Sequence, residues 1–212
     1  MLGIFFAISS SVLIISNLAA GKLWDLCGIA ADGGLIIFPI TYIIGDLIVA
    51  LYGEKKANEV ALTSTIMTGF MALIMWIVVK FLPPFPEWND QLAFEAVFGQ
   101  VGRVTIASLI AYLVSNLLNN KIFGKIRSNF IGRALGSSVI SRLIDSAIFE
   151  TIAFLGVISL KEFQMQFLLA YCLGLTLETL LAPFSKMIYK RLRHSKLYLS
   201  DFETTNLLPP EY

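Results

Sequence analysis

Histidine, cysteine and charge are all scarce in this 212-residue chain. The one histidine, His194, lies in a basic C-terminal stretch. No imidazole is therefore available to a buried nucleophile, and no zinc site is expected. Cys27 falls in a connection and Cys172 in an apolar run, and no CxxC pair exists. Two cysteines at such different depths are not expected to pair. There is no Walker A, HExxH or GxSxG pattern. The chain is thus not expected to hydrolyse ATP itself or to be an intramembrane enzyme. No catalytic residue, metal ligand or cofactor is predicted. Charged residues make up 15% of the chain, against about 25% in a soluble domain. No basic, aromatic-interleaved polar face is present, so nucleic acid is not an expected partner.

What the chain does have is apolar length. Hydrophobic residues make up 57%, mean hydropathy is +0.76, and the surplus is gathered into long runs. A bilayer-spanning helix needs about 20 such residues. Runs of that order occur at residues 2–20, 35–52, 60–81, 101–118, 134–155 and 163–188. The prediction is an all-α membrane protein: a bundle of six transmembrane helices over residues 1–190, in contact with membrane lipid, and a basic cytoplasmic tail over 191–212. The first run has no basic segment before it and no A-x-A site after it, so it reads as a helix rather than a signal peptide.

Lysine and arginine fix the expected orientation. Lys55, Lys56, Lys121, Lys125, Arg127, Arg133, Lys186, Lys190, Arg191, Arg193 and Lys196 all fall in the second, fourth and last connections, and they are 11 of the 16. Lys22, Lys80, Arg103 and Lys161 fall on the other side. Both termini are therefore predicted to be cytoplasmic. The loop 82–99, which opens Pro83-Pro84-Phe85-Pro86 and carries Glu87, Asp90 and Glu95, is predicted to be external. Arg103 reads as an interfacial anchor.

The polar residues inside the runs carry the functional signal. The stretch FPITYIIGDLIVALYG (38–53) is apolar enough to span a membrane, yet Asp46 lies near its middle. A carboxylate there costs roughly 2.5–3.5 kcal/mol on insertion scales. Asn17, Arg142, Asp145 and Glu178 share this kind of position. Phe38, Tyr42 and Asp46 fall on one helical face; so do Ser138, Arg142, Asp145 and Phe149; so do Tyr171, Gly174 and Glu178. Arg142 and Asp145, at i and i+3, are spaced to pair. They are either a self-satisfied ion pair or part of a substrate or proton site. Glu178 is either a site residue or a partner for Arg142, and Asn17 either joins helices or contacts a ligand. Two rings and a carboxylate suit a flat, multi-donor solute. On composition alone the chain is a transporter or channel for a small polar molecule.

Four blocks carry a closer likeness: SNLAAGKLW (16–24), FPITYIIGDLIVALYG (38–53), RVTIASLIAYLVSNLLNNKIFGKIR (103–127) and SSVISRLIDSAIFETIAF (137–154). Together, and in this order, they resemble the queuosine precursor transporter family. The resemblance implies a six-helix bacterial inner-membrane importer of 7-cyano-7-deazaguanine, 7-aminomethyl-7-deazaguanine or queuine, bases used in tRNA modification. It implies substrate-binding roles for Asn17, Phe38, Tyr42, Asp46, Ser108, Tyr112, Asp145, Ser146, Phe149 and Glu178, to which Arg142 is added from the face argument. The chain departs from the family pattern at Ala50, Asn119, Gly174 and Arg142. A lysine often stands where Gly174 is, so one reading is that a buried positive charge has moved from 174 to 142. A substrate-binding subunit of an ATP-driven vitamin importer is the alternative function. A homodimer is compatible with so small a scaffold, and the sequence does not decide it.

Overall fold

The computed structural model describes residues 1–26, 28–98, 103–156 and 158–203, with only the backbone of 23, 29, 30, 103, 202 and 203. Cys27, the start of the fourth predicted helix at 101, the Arg103 side chain and the end of the tail lie outside what is described.

The chain opens with α1 (Leu2–Ala19). A short antiparallel hairpin follows, β1 (Leu23–Leu26) with β2 (Ile29–Asp32), in the register Leu23 to Asp32. The sequence reading treated this segment as a plain connection. Indole Nε1–H of Trp24 donates to the Asp32 carbonyl at 3.1 Å, tying one strand across to the other.

The stretch expected as one helix from 35 to 52 is two: α2 (Gly34–Ile37) and α3 (Pro39–Tyr52). The boundary falls at Phe38 because Pro39 has no N–H to continue the ladder and is best placed at a first helical position. Gly53 then ends α3 with φ 86° and ψ 167°, a conformation open to glycine. The chain turns at once into α4 (Glu54–Phe81), with Glu54 in its positive first turn. The Pro-rich loop holds α5 (Gln91–Phe98), whose Phe94 meets Trp88 edge-on. Then come α6 (Arg103–Lys125), α7 (Phe130–Phe154), α8 (Leu160–Arg193) and α9 (Lys196–Glu203). The Asn129 side chain caps α7 by accepting from the Gly132 N–H at 2.9 Å. Ser159 and Glu162 form a capping box at the start of α8.

Helix α3 is the centre of the bundle. Eleven of its fourteen residues are buried, and it packs against α1, α4, α6, α7 and α8. Its Ile44, Leu47, Ile48 and Leu51 join Phe5, Val60, Phe123 and Phe130 in the main apolar cluster. Gly45 leaves room for two asparagines of α6: a Cβ there would sit 3.1 Å from Asn120 Oδ1. The outer helices show the opposite pattern. Ile66, Phe70 and Leu73 of α4 and Leu168, Leu180 and Phe184 of α8 are exposed, as they must be if lipid surrounds them.

Among the described residues, five helical segments are long and apolar enough to cross a membrane: Leu2–Ala19, Gly34–Tyr52, Glu54–Phe81, Val104–Lys125 and Leu160–Arg193. Helix α7, the fifth of the predicted six, has the length of a span but carries Arg133, Arg142, Asp145 and Glu150. All four are buried among its neighbours. Arg133, counted in the sequence reading with the cytoplasmic loop, stacks on the Phe123 ring at 4.2 Å and donates Nε–H to the Phe123 carbonyl at 3.0 Å. Part of the expected tail is also structured. Helix α9 folds back so that Asp201 reaches the start of α1 and Tyr198 donates to the Leu51 carbonyl at 2.8 Å.

Candidate functional site

Two cavities, called outer and inner here, adjoin the Arg142–Glu178 pair. The outer one, about 90 Å³, is bounded by the end of α1, the α2 turn, the first half of α6 and the second half of α7. It collects Asn17, Phe38, Ser108, Arg142, Asp145, Ser146 and Phe149 of the expected site residues. The inner one is smaller, about 10 Å³. It lies between α3, the start of α7 and the second half of α8. Tyr42, Asp46 and Glu178 face it, with Ser138 and Ser185. Tyr112 lines neither cavity; it is buried against Leu13 and Ala61 and meets Phe38 edge-on at 6.1 Å.

Arg142 sits between the cavities. Its Nε–H donates to Glu178 Oε1, and its Nη1 lies 3.8 Å from Asp145 Oδ2. The pairing expected from i, i+3 spacing is thus the longer of its two contacts, and the shorter one crosses to α8. The guanidinium lies over the Tyr42 ring at 4.4 Å and the Phe38 ring at 5.3 Å. A cation held on two ring faces gains from their quadrupoles where water is absent.

Asp145 is held by other means. Tyr42 O–H donates to Ser115 Oγ at 2.7 Å, and Ser115 Oγ–H donates to Asp145 Oδ1 at 3.0 Å. Asp46 accepts from Asn119 Nδ2–H at 2.7 Å, and Ser141 Oγ–H donates to Asn119 Oδ1 at 2.9 Å. The buried acids are therefore met by a polar seam from α6 that includes Ser115 and Asn119, both fully buried. Asn17 turns back on its own helix, donating Nδ2–H to the Leu13 carbonyl at 3.0 Å while lining the outer cavity.

At the outer rim, Ser16 Oγ–H donates to the Gly34 carbonyl at 3.2 Å. A Cβ on Gly34 would fall 2.7 Å from the Ser16 carbonyl oxygen and 2.8 Å from Asp32 Oδ1, so only glycine lets α1 and the hairpin close here. Burial raises the Asp32 carboxyl above the ordinary aspartate range, against the N–H groups of Gly34 and Leu35 that lower it.

The sequence marks Asn119 only as a departure from the family pattern. It does not select Ser16, Asp32, Gly34 or Ser141. The Gly33-Gly34 pair beside Asp32 was the available signal for the rim. Ser141 had none, because a serine in an apolar helix satisfies itself on the preceding turn, as Ser141 also does on the Ser137 carbonyl.

Residues 32–188 match the family described as "Putative vitamin uptake transporter". The chain belongs to the vitamin uptake transporter family. It is 27% identical over 180 residues to a protein of Bacillus subtilis named "Probable queuosine precursor transporter", covering 81% of this chain and 77% of that protein. It is 29% identical over 126 residues to a Haemophilus influenzae protein of the same name, covering 57% of this chain and 51% of that one. No solved structure matches the chain. Membership fits the apolar spans and the buried polar cavities: this is a multi-pass membrane transporter whose substrate is a small molecule.

Proposed function

We propose that the protein is a secondary transporter of the bacterial inner membrane that imports a queuosine precursor, namely 7-cyano-7-deazaguanine, 7-aminomethyl-7-deazaguanine or queuine. Its six spans are the five apolar segments and α7, and both termini face the cytoplasm. The observation that carries the reading is the outer cavity. Phe38 and Phe149 give it apolar ring surfaces, and Arg142, Asp145, Ser108 and Ser146 give it a few directed polar groups. That combination suits a flat heterocycle with a polar edge. The substrate named for the relatives is of that kind.

Asn17, Phe38, Ser108, Arg142, Asp145, Ser146 and Phe149 hold the base in the outer cavity. Tyr42, Asp46 and Glu178 act from the inner side, and Tyr112 supports the Phe38 ring. Cells that lack both synthesis and native uptake of 7-deazaguanines are given this gene and labelled 7-cyano-7-deazaguanine. Queuosine in their tRNA is the expected outcome. Its absence, with the protein inserted in the membrane and each of the three bases tried, sinks the proposal.

A further inference from the structure

The Arg142–Glu178 pair stands between the two cavities. Arg142 lines the outer cavity, while its partner Glu178 and the Tyr42 ring beneath it line the inner one. We propose that the inner cavity is a second solute station and that the Arg142–Glu178 bridge is the barrier between the two. The proposal rests on the transport reading above and adds to it a place where the solute stops after leaving the outer cavity.

Three observations carry it. The first is that the bridge is incompletely satisfied. Arg142 Nη2 is buried with no hydrogen-bond partner among the described residues, and Glu178 Oε2 has at most the Ser138 hydroxyl beside it. Glu178 is only 4% exposed and lines the inner cavity. A bridge serving structure alone is expected to have its remaining donors and acceptors met. These two atoms gain partners when the bridge parts and water or solute enters.

The second is the backbone of α8. Pro183 lies inside the helix, little more than one turn past Glu178. It removes the N–H that would bond the Thr179 carbonyl, which is where helices bend. Ser185, just beyond it, lines the small cavity, and Ala182, just before it, does too. Bending there widens the inner cavity and draws Glu178 from Arg142.

The third is chemistry. The inner cavity is rich in acceptors: the carboxylates of Asp46 and Glu178 and the hydroxyls of Ser138 and Ser185 surround it. It suits a neutral aromatic heterocycle presenting a ring N–H beside an amino group, which one carboxylate accepts through two oxygens. At about 10 Å³ it now has room for about one water, so the structure is the state in which the barrier is shut.

The test uses purified full-length protein in detergent, with Cys27 and Cys172 changed to serine. Ser138→Cys and Ser185→Cys report on the inner cavity and Ser146→Cys on the outer one, through their rates of reaction with N-ethylmaleimide. Adding Glu178→Gln is expected to speed reaction at both inner positions at least tenfold. Arg142→Gln, which removes the other half of the bridge, gives the same result if Glu178→Gln does not fold. Unchanged inner rates in a folded bridge variant overturn the barrier. With Arg142 and Glu178 both intact and the labelling time lengthened to match, 7-cyano-7-deazaguanine is expected to protect the inner cysteines. Protection of Ser146→Cys alone overturns the inner station. Failure to protect any of the three, with no uptake in cells, sinks the 7-deazaguanine reading instead, and the maleimide rates then decide the inner compartment by themselves.

Discussion

The guanidinium of Arg142 fills the space that a side chain on Gly174 would need. A Cβ at 174 would lie 3.0 Å from Cζ and 3.1 Å from both Nε and Nη1 of Arg142. Arginine on α7 and glycine on α8 are therefore one arrangement. The guanidinium is held by Glu178 and the two rings, so it has little freedom to yield. Gly174→Ala is expected to destabilise the protein by roughly 1–3 kcal/mol, the usual range for overpacking. Thermal unfolding in detergent measures it. If the resemblance-based reading of a relocated charge is right, Gly174→Lys combined with Arg142→Ser unfolds at a higher temperature than Gly174→Lys alone. A double variant no better than the single one refutes the exchange.

Arg142 has two acidic neighbours, and their unequal geometry ranks them. Glu178 takes the Nε–H directly, whereas Asp145 is 3.8 Å away and has Ser115 as its own donor. Glu178→Ala leaves the buried cation with its weaker partner, at a cost of roughly 3–5 kcal/mol. Asp145→Ala leaves the main pair intact and should cost about 1–2 kcal/mol. Arg142→Ala with Glu178→Ala is expected to be more stable than Glu178→Ala. Denaturant titration of the three variants checks the order, and an Asp145→Ala loss as large as that of Glu178→Ala contradicts it.

Much of this was legible in the sequence because membrane helices announce themselves by length, and faces by a 3.6-residue period. Asp46 with Tyr42 and Phe38, and Arg142 with Asp145, fall together on those grounds alone. Depth was not legible. Periodicity says which residues share a face, but not where that face stands against a neighbouring helix. Shared faces alone therefore do not tell that Asp145 lines one cavity and Glu178 another. Glu178, 36 residues from Arg142, could be offered as its partner only beside the reading of a site residue, and the structure shows the contact. The hairpin at 23–32 escaped because its strands are four residues each and do not alternate cleanly. Its evidence is a cross-strand indole bond that only coordinates reveal. Helix α9 escaped because its anchoring acid, Asp201, binds at the far end of the chain.

Orientation is open to direct measurement. Residues 81–90 are all exposed, so Glu87→Cys reports on whichever side the Pro-rich loop occupies. The Lys/Arg distribution puts it outside. An impermeant maleimide added to intact spheroplasts is expected to label Glu87→Cys in a background without the native cysteines. Labelling only after lysis reverses the topology and, with it, the direction assigned to the two cavities.

Asp201 links α9 to the first residues of α1 and gives that contact a pH dependence. Its carboxylate accepts from the Met1 ammonium at 2.8 Å, the Leu2 N–H at 3.0 Å and the Tyr52 O–H at 2.7 Å. Burial works against ionisation, but these donors outweigh it and hold the carboxyl below its ordinary range. A carboxyl lowered on folding stabilises the folded state above the unfolded pKa of about 3.9 and loses that contribution as pH falls through the lower folded value. The α9 amides should exchange hydrogen slowly at pH 5 and faster below about pH 4. In Asp201→Asn they should exchange fast at both, for a loss of about 1 kcal/mol. Equal protection of α9 in the variant and the wild type would remove Asp201 as the fastener.

Asp46 carries the most specific bet on base recognition. Asn119 gives its Nδ2–H to Asp46, with its Oδ1 in reach of the Ser141 hydroxyl, whose shorter contact is the Ser137 carbonyl. One carboxylate oxygen of Asp46 is thereby engaged, and the side chain lines the inner cavity. A 7-deazaguanine presents a ring N–H and an exocyclic amino group side by side, which suits a carboxylate. Asp46→Asn keeps the carbonyl oxygen that Asn119 needs and replaces the other acceptor with an NH₂ group. The fold should tolerate this to within about 1 kcal/mol, since a buried charge is removed and the internal hydrogen bond survives. The base should not tolerate it, because two donors then face each other. Affinity is expected to fall roughly 100-fold, on the order of 3 kcal/mol. Isothermal titration of 7-cyano-7-deazaguanine into the purified variant reads the loss, and its melting temperature certifies the fold. Wild-type affinity in Asp46→Asn would clear Asp46 of reading the base and pass that role to Glu178, the other carboxylate on the inner cavity.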